Sequence, residues 1–296
     1  MGRPGFRPPS AATRERRDSC RVAGDYTSPV PDTPAMPRIG LSTSSVYPES
    51  TAAAFEIAKH LGYDGVEVMV GTDRVSADIE AVARISEYYE VPVSSVHAPC
   101  LLLTKRVWGT DPWDKLRTSV DAALRWGAPT VVVHPPFRWQ RGYATGFTKG
   151  IRRLSSETGL SFPVENMYPW RGPAGVDLRA YAPSWDPTDL DVDDLTLDLS
   201  HASTARQSAL ELARAWGPRL KHVHLTDGRG AAADDHLLPG EGDQRADLVL
   251  GHIARSNFTG DIIVEVRTRS ASDRDEREAL LAQVLDYTKT HLRRAT

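Results

Sequence analysis

Nine side chains able to bind a metal or move a proton recur along this chain, each beside or just beyond an apolar run. They are His97 in "SSVHAP", His134 in "VVVHPP", Glu165 in "FPVEN", Asp198 and His201 in "LDLSHA", His224 in "KHVHLTD", Asp234 and His236 in "DDHLLPGEGD", and Glu265 in "IIVEV". Five of the nine histidines fall at these positions, leaving His60, His222, His252 and His291 elsewhere. Imidazoles and carboxylates without thiolates are the donor set of a hard to borderline divalent cation. Glu165, Asp198, His224 and Glu265, three carboxylates and one imidazole, suit a single Mn, Co or Mg ion. Adding His97, His134, His201, Asp234 and His236 supplies enough donors for two or three zinc ions, so the metal count stays open.

Something must bring residues so far apart in sequence to one place. Eight short β-branched runs do so: 38–43, 65–70, 91–98, 130–136, 161–166, 195–200, 220–227 and 261–266. Between them lie stretches of helical period. In "TAAAFEIAKHLG", Ala54, Ile57, Ala58 and Leu61 share one face and Gly62 is the stop. "SADIEAVARISEYY", "DKLRTSVDAALRWG" and "SALELARAWG" repeat the pattern, and the last helix opens with a Ser272/Asp275 capping pair. Strands alternating with helices predict parallel βα units. An open doubly wound sheet would show a glycine-rich phosphate loop after its first strand. Here that strand runs into "GLSTSSVYPES". The expected fold is therefore α/β, a single-domain (β/α)8 TIM barrel over residues 37–296. In such barrels chemistry sits at the strands' C-terminal ends, and alternation along each strand turns the polar side chains toward one mouth. "DDHLLPGEGD" is then the loop after the seventh strand, since Pro239, Gly240 and Gly242 forbid a helix there.

Residues 1–36 are rich in Pro, Arg, Ser and Thr and poor in large apolar groups, which predicts a disordered extension. Met36 directly precedes the first strand-like run and is read as an alternative start of translation, which the intact mass of native protein would decide. The net charge of -3 gives no general field toward nucleic acid or anionic lipid. No apolar run approaches the roughly 18 residues that span a bilayer. Cys20 and Cys100 form no CxxC pair, so a reducing cytoplasm is the expected compartment. Self-association stays open.

Taken in order, "GYDGVEV", "VHAP", "VVHPP", "VEN", "LDLSHA", "HVHLTD", "DDHLLPGEG" and "VEV" resemble the xylose isomerase-like TIM barrel superfamily from residue 38 to about 290. That superfamily includes sugar and sugar-phosphate isomerases and epimerases as well as endonuclease IV repair enzymes. In the isomerase and epimerase branch, the resemblance implies that Glu165, Asp198, His224 and Glu265 hold one divalent metal. It also implies that Glu165 and Glu265 exchange the substrate proton, one on each face of a metal-stabilised enediolate, and that His201 contacts substrate oxygens; His97 is a further candidate for substrate contact. In the endonuclease IV branch all nine positions match ligands of three zinc ions. Against that branch, the first strand lacks its "GxHxS" pattern and "CLLL" stands where an aromatic wedge is expected. The expectation is a divalent-metal-dependent isomerase or epimerase of a small sugar, sugar phosphate or polyol. The alternative is an endonuclease IV-like zinc phosphodiesterase acting on abasic DNA.

Two loops offer substrate contacts. "PPFRWQRGY" carries Arg138, Trp139 and Arg141, and "NMYPWRGP" carries Tyr168, Trp170 and Arg171. Aromatic faces stack on sugar rings and paired arginines hold phosphate. Glu67 and His222 are read as part of a polar barrel interior, with His222 deeper than His224.

Overall fold

The computed structural model describes residue 2 and residues 36–293, apart from 72, 101–103 and 172–175. The expectation of a disordered extension therefore falls, but for Gly2 and Met36, outside the described residues, as do Cys20 and the "LLL" of "CLLL".

All eight predicted strands form. They are β1 (Arg38–Ser42), β2 (Gly65–Met69), β3 (Val93–His97), β4 (Thr130–Val132), β5 (Val164–Glu165), β6 (Leu195–Asp198), β7 (Leu220–Leu225) and β8 (Asp261–Val264). They pair in parallel in the order β4-β3-β2-β1-β8-β7-β6-β5. The two outer strands meet through bridges Thr130↔Ser161 and Val133↔Val164. The amides of Val131 and Glu165 donate to Ser161 O and Val133 O across that seam, both at 2.9 Å. The sheet thus closes into a TIM barrel. Several strands are shorter than the apolar runs. β3 starts after Pro92, and β6 stops at Asp198 because its Oδ1 caps the next helix through the His201 amide at 2.7 Å.

The helices are α1 (Thr51–Leu61), α2 (Ile79–Tyr89), α3 (Pro112–Trp126), α4 (Arg141–Thr158), α5 (Leu199–Thr204), α6 (Ala209–Trp216), α7 (Ala246–Arg255) and α8 (Arg274–Arg293). Local chemistry sets their ends. Ser50 Oγ accepts from Ala53 N at the start of α1, and Gly62 ends it at φ 79°, a left-handed conformation that a Cβ disfavours. Asp111 caps α3 ahead of Pro112 at its first position. The predicted Ser272/Asp275 pair at α8 is corrected by one residue. Asp273 accepts from Glu276 N and the Glu276 carboxylate accepts from Ser272 N, because Asp273 stands immediately before the first helical residue.

One βα unit departs from the expected repeat. After β5 no helix occurs among the described residues; a short antiparallel hairpin, Trp170–Arg171 with Asp177–Leu178, takes its place. Pro169, Pro183 and Pro187 keep that segment from helical hydrogen bonding.

Side chains on the two faces of the strands differ in kind. Val66, Val68, Val131, Val133, Leu197, Val223, Leu225, Ile262 and Val264 pack outward into the main apolar core. Inward, Glu67, Ser95, Thr196 and His222 are buried and polar where such barrels ordinarily stack branched aliphatics. Between α3 and α4, Gly150 permits close packing, since a Cβ there would stand 1.9 Å from Trp113 Cη2.

Candidate metal centre

The strand ends deliver the nine predicted groups to one mouth, with Glu165 at the hub. Its Oε2 lies 3.0 Å from His134 Nε2 and 3.3 Å from His97 Nε2. Its Oε1 lies 3.0 Å from His201 Nδ1 and 3.3 Å from His224 Nδ1. His224 Nδ1 is also 3.2 Å from Glu265 Oε2 and 3.6 Å from Asp198 Oδ2. On the far side Asp234 Oδ2 lies 3.3 Å from His201 Nε2 and 2.7 Å from His236 Nε2. Four groups of converging donor atoms occur among the described residues: three join members of this set, His97 with His134 and Glu165, Glu165 with Asp198 and His224, and Asp198 with His201 and His236, and a fourth, Glu67 with His222 and His224, lies beneath them.

Neighbouring bonds hold these side chains in place. Asn166, adjacent to Glu165, donates to Asp198 O at 3.0 Å and accepts from Asp198 N at 2.8 Å, which locks β5 to β6 beside two of the donors. Ser200 Oγ donates to Asp234 Oδ1 and accepts from His236 N, fixing the loop after β7 over α5. His236 Nδ1 lies 2.8 Å from Glu265 O.

The donor set fits a divalent cation. Asp198 Oδ2 and Glu265 Oε2 are buried carboxylate oxygens with no hydrogen-bond donor, and both face His224 Nδ1. Such oxygens are costly unless a positive charge meets them. The electrostatics agree. Burial works against a charged imidazole at 201, 224 and 236, yet the surrounding carboxylates push His201 and His224 well up and His236 to about 10. Burial likewise opposes an ionised Glu165, but His224 and His134 hold it well below the usual carboxylate range. Glu265 goes the other way, raised by burial beyond what His224, His236 and His97 offset. This mouth attracts positive charge, and its oxygen and nitrogen donors without sulfur leave the metal's identity open.

Above the centre is a cavity of about 360 Å³, lined by His97, His134, Glu165, His201, Asp234, His236 and Glu265 together with Met69, Phe137, Met167, Tyr168, Trp170 and Tyr181. A larger neighbour of about 660 Å³ lies between the loops after β3 and β4 and shares the His134 and Phe137 wall. The smaller cavity is the one with the chemistry.

The loop residues expected to touch substrate separate. Tyr168 and Trp170 line the metal-side cavity, with the Tyr168 ring centroid 5.0 Å from that of His201. Trp139 and Arg141 line the larger one. Arg138 lines neither; its amide donates to Ala180 O and its side chain is exposed. Arg171 is half-buried and occupied, donating to Thr204 O at 2.8 Å and Gly230 O at 3.3 Å. Phe137, Met167 and Tyr181 are not legible in the sequence, because apolar residues in irregular loops carry no period, and Met69, the last residue of β2, reads there only as an apolar strand residue. Asn166 had a readable signal in its place after a strand-end glutamate.

A family model described as a xylose isomerase-like TIM barrel matches residues 55–291. An uncharacterized protein of Mycobacterium tuberculosis (strain ATCC 25618 / H37Rv) is 49% identical over 275 residues, covering 87% of this chain and 98% of that one. The fructoselysine 3-epimerase of Shigella flexneri is 22% identical over 240 residues, 73% of this chain and 84% of the epimerase. The crystal structure of a D-tagatose 3-epimerase-like protein superposes with a TM-score of 0.62 at 21% identity, covering 87% of this chain and 98% of that one. At that identity the likeness speaks for the fold.

Proposed function

Because this chain belongs to the xylose isomerase-like TIM barrel family, we propose that it is a divalent-metal-dependent isomerase or epimerase of a small sugar, sugar phosphate or polyol. The carrying observation is the position of two carboxylates, Glu165 and Glu265, beside His224 Nδ1 on the floor of an aromatic-walled cavity. Glu165, Asp198, His224 and Glu265 would hold the ion. The ion supplies Lewis acidity to carbonyl and hydroxyl oxygens, which makes a proton on the adjoining carbon removable. The chain's own residues do the rest. One of the two glutamates takes that proton and the other returns one. His97 and His201 hydrogen-bond substrate oxygens, and Tyr168, Trp170 and Phe137 offer ring faces. A cavity of about 360 Å³ is of monosaccharide scale. The epimerase relative supports the same reaction class. The site suits a reducing cytoplasm, Cys100 being a free thiol; among the described residues no helix is long and apolar enough to cross a membrane.

The test pairs elemental analysis of gently purified protein with incubation of the metal-loaded protein in D₂O with ketoses and ketose phosphates. Deuterium entering beside a carbonyl, read by NMR and lost on chelation, supports the reading. A metal-loaded protein that exchanges no proton across the panel sinks it.

A second reading rests on a separate observation. Three donor groups linked through Glu165 and Asp198 offer enough ligands for three zinc ions, as an endonuclease IV-like phosphodiesterase acting on abasic DNA would require. Two or three zincs per chain together with incision of an abasic duplex would put this reading first. A single Mn, Co or Mg and no incision would dismiss it.

A further inference from the structure

We infer that Glu67, on β2 near the floor of the barrel, is a positioning residue for His224, orienting that imidazole so that Nδ1 is the atom presented to the metal. The inference rests on the metal-centre reading above and adds a residue to it.

The geometry divides the two nitrogens of His224 cleanly. Nδ1 faces Glu165, Asp198 and Glu265 at 3.3, 3.6 and 3.2 Å. Nε2 faces the other way, 3.1 Å from Glu67 Oε1, an ion-pair contact whose angles fall short of a hydrogen bond, and neither of those two buried atoms has any hydrogen-bond partner in the structure. The remaining oxygen of Glu67 is fixed: Oε2 accepts from Ser95 Oγ at 2.6 Å and lies 2.8 Å from His222 Nε2. Glu67, Ser95, His222 and His224 are all wholly buried. A carboxylate placed there among strands is expensive unless its partners need it.

The consequence for His224 is chemical. A carboxylate below the ring keeps the proton on Nε2, leaves the Nδ1 lone pair pointing up, restricts rotation about the ring axis and makes Nδ1 a stronger donor. Glu67 makes this contact from across the barrel, since β2 and β7 are not neighbours in the sheet. A purely structural role predicts something else: Glu67 would then serve the Ser95 and His222 bonds, and losing either partner would cost stability alone.

Isothermal titration with Co²⁺ and with Zn²⁺ separates these roles in the wild-type protein, Glu67→Gln and Ser95→Ala. Gln keeps the size of Glu67 but not its charge. Ser95→Ala removes a bond to Oε2 and leaves the Nε2 contact. The expected result is a metal affinity about 10- to 100-fold weaker in Glu67→Gln, the range seen when an outer partner of a metal-bound histidine is lost. Its Co²⁺ absorption band should shift, while Ser95→Ala binds as wild type. Equal affinity and an unchanged spectrum in Glu67→Gln would overturn the inference while leaving the metal centre standing. No binding by wild type would overturn both. Should Glu67→Gln fail to fold, ¹⁵N-histidine NMR of zinc-loaded wild type decides. The inference requires a zinc-bound Nδ1 and a protonated Nε2 on one deeply buried ring; zinc on Nε2 of His224 overturns it.

Discussion

From β6 through β7, β8, β1 and β2 to β3 the barrel is a ladder of longer strands, whereas β4 and β5, three and two residues long, meet each other only through isolated bridges, and the segment from β5 to β6 carries a short hairpin in place of regular structure. The ladder side carries Asp198, His224, Glu265 and the Glu67 support on strands or immediately beyond them. The irregular side carries a small aromatic cluster of its own, Phe137, Met167, Ala180 and Tyr181 with Trp170 and Trp185, separate from the main core. Glu165 and His134 stand on the boundary. The contrast assigns rigidity to the groups that must meet an ion within tenths of an ångström, and adaptability to those that must meet a sugar. Substitutions on the two sides should therefore fail in different ways.

The largest effect is expected at Asp198. One of its oxygens caps α5 and the other is an orphan aimed at the centre. Asp198→Ala should lower metal affinity by more than about 100-fold, beyond what loss of an outer partner costs, and abolish turnover. The lost cap should remove about 1 kcal/mol of stability as well. Metal content after dialysis and thermal unfolding read the two effects separately. An Asp198→Ala protein that keeps its metal would break the assignment of ligation to the ladder.

Next in size is Leu197, fully buried on the outer face of β6 one residue before that ligand. Leu197→Ala should destabilise by about 2–5 kcal/mol through a cavity the ladder cannot collapse. Metal affinity should change little in the folded fraction, because the side chain points away from the centre. Denaturant unfolding and titration together check both halves of that expectation.

The same contrast explains what could be read from the amino acids. Strands and most donors were legible because β-branched runs and strand-end polar residues are local signals, and alternation carries His224 and Glu265 inward without further information. Only tertiary pairing gives Glu67 its meaning, since its partners, Ser95 on the neighbouring β3 and His222 across the barrel, lie 28 and 155 residues away. α4 was obscured by Gly142, Gly146 and Gly150, which weaken helical propensity. At least Gly150 is demanded by Trp113 of the preceding helix. The lack of a helix after β5 among the described residues and the hairpin found there are tertiary outcomes: Arg171 ties the segment to Thr204 O and Gly230 O, and no periodicity in "NMYPWRGP" announces such anchors.

The smallest effect on stability, and the sharpest on selectivity, is expected at Trp139. Its ring stacks on Phe137 at 4.6 Å and 6° while the residue stays 54% exposed, on the larger cavity's side of the Phe137 wall that the two cavities share. A ring held on one face and open on the other adds little to folding, so Trp139→Ala should cost less than about 0.5 kcal/mol, the range of ordinary surface substitutions. Metal affinity should not move. If the irregular side selects substrate, KM should rise several-fold with kcat nearly unchanged, because a ring-face contact made equally in ground and transition states contributes to binding alone. A fall in kcat at constant KM would place Trp139 in the chemistry instead. It would then extend the demand for rigidity to the side of the barrel that has no continuous ladder to supply it.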